Sequence, residues 1–140
     1  MLTGRYEHNV DAKGRVFVPA KFRADLQGEL VIAKGIDAKC VVLYTKEQWN
    51  IVVSKIESHG EISMKSILRF LHASSFSTEL DSQGRVVIPP ELREFANIEK
   101  DISFIGLNYC VELWRPENFD AVNDEANVEE MMEMLKNVGF

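Results

Sequence analysis

Residues 10–23 read VDAKGRVFVPAKFR, and residues 80–93 read LDSQGRVVIPPELR. At an offset of 70 positions, Asp11 falls on Asp81, Gly14 on Gly84 and Arg15 on Arg85. Val16 falls on Val86, Pro19 on Pro89 and Arg23 on Arg93, with Val18 opposite the similar Ile88. The likeness runs on downstream. LVIAKGIDAKCVVLYTKEQW matches ISFIGLNYCVELWRPENF once a one-residue gap is allowed, pairing Cys40 with Cys110, Leu43 with Leu113, Glu47 with Glu117 and Trp49 with Phe119. Chance agreement of this length is improbable, so the chain contains one module twice. The reading places repeat 1 at 5–47, a helical spacer at 48–75, repeat 2 at 76–119 and an acidic C-terminal helix at 120–140.

Each module has the same local grammar. A short strand, near Tyr6–Val10 and Ser77–Leu80, leads into an Asp-x-x-Gly turn. Aspartate starts turns by accepting backbone N–H groups, and glycine supplies the positive φ, so Gly14 and Gly84 are the turn-forming residues. A β-branched strand follows at Arg15–Val18 and Arg85–Ile88, making a hairpin-like unit. Proline then opens a short helix, PAKFRADL or PPELREFA, where its missing N–H is harmless. Two more strands follow in each copy, at Leu30–Ala33 and Cys40–Tyr44, then at Ile102–Ile105 and Cys110–Trp114. In the spacer, Trp49, Val52, Val53 and Ile56 recur at helical spacing, as do Met64, Ile67, Leu68 and Leu71, with Gly60 between the two sets. Val128, Met131, Met132 and Leu135 form a third such stripe near the C-terminus. The fold class is therefore α+β.

The turns carry the sharpest chemistry. In DAKGR and DSQGR an acid precedes an arginine by four residues across a tight turn. The acid is placed to bond turn amides and to aim the guanidinium, whose planar fork suits phosphate or a guanine edge. The plainer reading is a capped turn with a solvated arginine. Repetition of the same Asp, Gly, Arg and Pro spacing weakens that reading, although duplication also copies purely structural features.

Doubled and followed by Val-x-Val-Pro and Val-Val-Ile-Pro, these motifs resemble the MraZ family, relatives of the SpoVT-AbrB and MazE swapped-hairpin DNA-binding domains. The resemblance rests on GRYEHNVDAKGRVFVPAKFR and ELDSQGRVVIPPELREFANIEKDISFIG and spans essentially the whole chain. Leu2 and Thr3 depart from the bulkier aromatic start of many relatives, at a peripheral strand. The resemblance implies a double-split β-barrel, with both repeats of one subunit forming what related proteins form as dimers. It implies a closed-ring homo-oligomer on short direct repeats in double-stranded promoter DNA. The regulated genes would be the division and cell-wall cluster, including its own gene. An AbrB-like global regulator or antitoxin-type DNA binder is the alternative, although antitoxins pair one repeat with a toxin-binding tail. The residues assigned to DNA are Asp11, Lys13, Arg15, Arg5, Asp81 and Arg85.

Bulk composition fits this reading. Hydrophobic residues make up 46% of 140, and charged residues 27%, as in an ordinary globular chain. No apolar run approaches the ~20 residues of a membrane span, and no apolar leader opens the chain, which predicts a cytoplasmic, nucleoid-associated protein. The net charge of −6 resides wholly in the stretch from Glu117 onward, which has seven acids and one base. The rest is neutral, and DNA binding needs a local basic surface rather than a basic total. Residues 5–26 carry a balance of +2 and residues 75–96 a balance of −2, so the first repeat is the one expected to face DNA. Cys40 and Cys110 read as buried reduced thiols. They and the histidines His8, His59 and His72 lack metal-ligand spacing. An acid–base pair built on Asp11 and Asp81 is conceivable in principle. No nucleophile motif or phosphate loop accompanies them, so the reading is a non-enzyme with no catalytic residues, cofactor, metal or small-molecule substrate.

Overall fold

A computed structural model describes all 140 residues. The first repeat contributes β1 (Thr3–Asn9), β2 (Arg15–Phe17), the one-turn α1 (Ala20–Arg23), β3 (Leu30–Lys34) and β4 (Val41–Thr45). Helices α2 (Lys46–Glu57) and α3 (Ile62–Ala73) form the spacer. The second repeat gives β5 (Phe76–Thr78), β6 (Arg85–Val87), α4 (Pro90–Phe95), β7 (Asp101–Leu107) and β8 (Val111–Trp114). The C-terminus holds α5 (Pro116–Asp124) and α6 (Val128–Asn137), so residues 120–140 are the end of one helix and a second helix, not a single one. The break is chemical: Asn127 accepts the N–H of Glu130 at 3.1 Å and starts α6 afresh. No helix is long and apolar enough to cross a membrane.

The architecture is α+β, with an antiparallel six-stranded sheet of order β1-β7-β8-β4-β3-β5 and a separate two-stranded ribbon, β2-β6. In this order the two repeats exchange strands, as the resemblance to swapped-hairpin domains implies. The strands on either side of each Asp-x-x-Gly turn lie in different sheets. β1 pairs with β7 of the other repeat, β5 pairs with β3 of the first, and β2 pairs only with β6. Each repeat thus keeps its own β3-β4 or β7-β8 hairpin and lends its first two strands to its twin. Read from either edge, the sheet order is the same once the repeats are exchanged.

The central strands are buried on both faces, which is why they read as unbroken apolar runs rather than alternating ones. Leu30, Ile32, Val41, Leu43, Ile102, Phe104, Val111 and Leu113 join one core with Val16, Val18, Val86 and Ile88 from the ribbon and Phe22 and Leu92 from the short helices. Tyr6 packs edge-on against Phe22, with ring centroids 5.3 Å apart. Phe22 is fully buried, a contribution of roughly 1.5–3 kcal/mol. The opposite face, with Val31, Ala33, Val42, Tyr44 and Trp114, is covered by Trp49 and Leu71 and by partly buried Val52, Val53, Ile56 and Ile67 of the spacer helices. Thr45 caps α2 by accepting the N–H of Gln48 at 3.2 Å. The first spacer stripe is therefore intramolecular packing, and so are Ile67 and Leu71 of the second. Cys40 and Cys110 are both buried and free.

Candidate nucleic-acid interface

The two turns are built atom for atom alike. Asp11 Oδ1 accepts the backbone N–H groups of Lys13 and Arg15, each at 2.9 Å, and Oδ2 accepts Arg15 Nε at 2.7 Å. Asp81 Oδ1 accepts those of Gln83 and Arg85, each at 2.9 Å, and Oδ2 accepts Arg85 Nε at 2.8 Å. The backbone closes each loop through Gly14 N–H to Asp11 O and Gly84 N–H to Asp81 O, both 3.0 Å. Gly14 and Gly84 both sit at φ +80°, where a side chain is disfavoured. The amide of the arginine, its guanidinium and the adjacent amide hold both aspartate carboxyls below the usual carboxylate range, so both are ionised at neutral pH. Only Nε of each arginine is held by its aspartate. Nη1 and Nη2 make no hydrogen bond within the chain and form the open end of the fork.

Both arginines lie on the ribbon. Its register sets Arg15 opposite Val87, Val16 opposite Val86 and Phe17 opposite Arg85. Strand alternation sends Val16 and Val86 into the core, each 1% exposed, and turns Arg15, Phe17, Arg85 and Val87 outward. The Arg85 guanidinium lies 5.8 Å from the Phe17 ring centroid, a cation–π distance. Its side chain is 20% exposed, against 33% for Arg15. Lys13 is exposed at the turn tip, and Gln83 occupies the same place in the second turn.

A further pair of arginines completes the site, and sequence reasoning missed it. Arg23 Nε donates to Val18 O at 2.8 Å, and Arg93 Nε donates to Ile88 O at 3.0 Å. Each guanidinium lies beneath the turn of the other repeat: Arg23 beneath Gly84, and Arg93 beneath Gly14. Val18 N–H donates to Gly84 O at 3.0 Å, and Ile88 N–H donates to Gly14 O at 2.8 Å, so the exchange is stitched from both sides. The available signal was the match of Arg23 with Arg93 in the repeat alignment.

Arg5 is not brought to this surface. Its guanidinium donates to Asp120 at 2.6 Å, Glu7 at 2.7 Å and Ser103 Oγ at 3.2 Å, and stands 5.0 Å from the Phe119 ring centroid. These partners raise its pKa further and tie α5 to the β1 edge of the sheet. No group of three or more His, Cys, Asp or Glu side chains converges as a metal site would require.

The family model described as "MraZ protein, putative antitoxin-like" matches the chain twice, at residues 1–69 and 70–137. A relative named Transcriptional regulator MraZ from Thermoanaerobacter sp. is 40% identical over 144 residues, covering 100% of both chains. The protein of the same name from Caldanaerobacter subterraneus subsp. tengcongensis is 40% identical over 141 residues, 98% of each chain. That from Acetivibrio thermocellus is 37% identical over 130 residues, covering 91% of this chain and 90% of its own.

Proposed function

Because this chain belongs to the MraZ family, we propose that it is a sequence-specific DNA-binding transcription regulator that presents the β2-β6 ribbon to the major groove. The observation that carries the reading is the doubled turn: two ionised aspartates each clamp the Nε of an arginine whose remaining fork points outward from one two-stranded ribbon. A ribbon of that width fits the major groove of B-DNA, where an arginine bonds guanine O6 and N7 in a bidentate fashion. Arg15 and Arg85 are the readers, Asp11 and Asp81 position them, Gly14 and Gly84 permit the turns, and Lys13 adds a phosphate contact. Arg5 is left out of the contact set, because its guanidinium is occupied by Asp120 and Glu7.

The exchanged sheet and ribbon are read as the double-split barrel of AbrB-like dimers, here closed within one chain. The protein acts as a non-enzymatic, nucleoid-associated ring of several copies in the cytoplasm. It engages short direct repeats upstream of the division and cell-wall cluster, its own gene included. Met131, Met132 and Leu135 of α6 stay 47–57% exposed in the single chain, which supports burial against a second copy. Linked weak sites then gain affinity through effective concentration.

Footprinting over the DNA upstream of the chain's own reading frame tests this, with light scattering on the same sample. Protected direct repeats, a mass several times that of one chain and much weaker binding to one repeat than to three are expected. Each neutralised phosphate contributes about −0.9 to the slope of log K against log salt. Unprotected DNA overturns the DNA reading, and a single-chain mass overturns the ring.

A further inference from the structure

The outward face of the ribbon has four side chains, and only two of them are charged. Phe17 and Val87 are 43% and 48% exposed, while their strand neighbours Val16, Val18, Val86 and Ile88 are at most 1% exposed. Each lies directly across the ribbon from an arginine, Phe17 from Arg85 and Val87 from Arg15. Antiparallel sheets with one wet face normally set polar residues there. An aromatic and a branched aliphatic residue therefore alternate with two arginines on this face, the apolar pair on one diagonal and the guanidinium pair on the other.

We propose that Phe17 and Val87 read the 5-methyl groups of thymines lying within two base pairs of the bases contacted by Arg15 and Arg85, an inference that rests on the DNA-binding reading above. In the major groove, thymine is the one base that presents a methyl group, and apolar side chains recognise it by burying it. The spacing agrees. Outward residues two apart on a strand are about 6.6–6.8 Å from each other. Two base steps along one strand span about 6.8 Å. Arg15 and Arg85 hold the other two corners of this face with their Nη groups free, so a partner covering the apolar pair must offer them hydrogen-bond acceptors, as a guanine edge does and an apolar protein surface does not.

Phe17 also supports Arg85 by cation–π contact, so truncating it weakens binding whether or not it reads a methyl group. The test separates the two by changing the DNA. A random-sequence duplex library is selected on the full-length oligomer, and each thymine of the selected site is then replaced singly by deoxyuridine. This removes one methyl group and leaves base pairing intact. Wild-type protein should bind about fourfold more weakly for each methyl read, the transfer value of one buried methylene group. Phe17→Ala should bind thymine and uracil equally at one such position, and Val87→Ala at another. Phe17→Leu should keep discrimination.

Indifference of the wild-type protein to every uracil overturns the proposal, as does a selected site with no thymine within two pairs of the required guanine. Discrimination retained by both alanine variants overturns it too. A changed oligomer mass in Phe17→Ala with discrimination intact assigns the face to a second copy instead. A library that yields no enriched sequence is a different failure, that of the DNA-binding reading itself.

Discussion

Gly84→Ala isolates the contact by which one repeat braces the turn of the other. Gly84 has φ +80°, so any L-residue there pays roughly 1–2 kcal/mol for a left-handed backbone. A Cβ would also stand 2.6 Å from Arg23 Nε and 2.8 Å from its Cδ and Cζ. Those atoms are the middle of the side chain, and Nε is held by Val18 O at 2.8 Å. Arg23 must give up that bond to make room, and a hydrogen bond to a charged group contributes about 1.5–3 kcal/mol. Gly28→Ala is the control, because Gly28 has φ +78° and nothing within 4 Å of its would-be Cβ. Gly84→Ala should therefore destabilise by about 1.5–3 kcal/mol more than Gly28→Ala. Gly14→Ala meets Ile88 O at 3.0 Å and Arg93 at 3.1 Å, and should fall between them. Urea unfolding followed by tryptophan fluorescence, at one fixed protein concentration, gives the three values, since Trp49 and Trp114 are both buried. Equal losses for Gly84→Ala and Gly28→Ala, within ~0.5 kcal/mol, would refute the brace.

Burial, and then the charge of Arg23, hold His8 below its ordinary value of 6.5. Folding thus favours its neutral form, so the His8 contribution to stability should be complete above about pH 6.5 and be lost as pH drops below it. His8→Gln should remove this fall and leave the later one below the ordinary carboxylate value of 3.8, where Asp11 and Asp81 lose their clamps. Stability measured across that range checks both, and an unchanged upper fall in His8→Gln contradicts the assignment. Burial pushes the Cys110 thiol up to about 12 and Cys40 higher still, so neither should react with a thiol reagent in native protein near pH 8. Both should react on unfolding, and fast native labelling would show that the sheet opens there. Arg5→Ala should speed amide exchange in α5 while leaving DNA affinity within about twofold. A large affinity loss would return Arg5 to the contact set.

What was legible in the sequence was local. Asp11, Gly14 and Arg15 lie within five residues, so the turn, its φ and its clamp follow from side-chain chemistry alone. The exchange between repeats was implied by the family resemblance and not by the residue pattern. Both copies carry the same alternation, so β2 pairing within its own repeat and β2 pairing with β6 bury the same valines. The roles of Arg23 and Arg93 depend on that exchange, and the pattern hid them too. The same exchange leaves the charge contrast between the segments unchanged, because Arg93 comes to sit beneath the first turn and Arg23 beneath the second, one positive charge each way. The contrast of Lys13 with Gln83 survives, being local to each turn tip. In the tail, Asn127 three residues before Glu130 is a recognisable helix start, yet the acidic run hid it.

The central claim is that the clamped arginines read DNA, and a side-by-side titration of Arg15→Ala and Arg85→Ala on the footprinted duplex tests it most directly. Circular dichroism and light scattering on both variants first establish that fold and assembly are intact. A lost bidentate arginine contact is worth roughly 1–3 kcal/mol, about 5- to 150-fold in affinity at each site. Arg15→Ala should show this loss in full. Arg85→Ala should lose less, because its guanidinium leans on Phe17 and its neighbour at the turn tip is Gln83 rather than Lys13. Loss confined to Arg85→Ala would mean that the second turn faces the groove, and wild-type affinity in both variants would contradict the account.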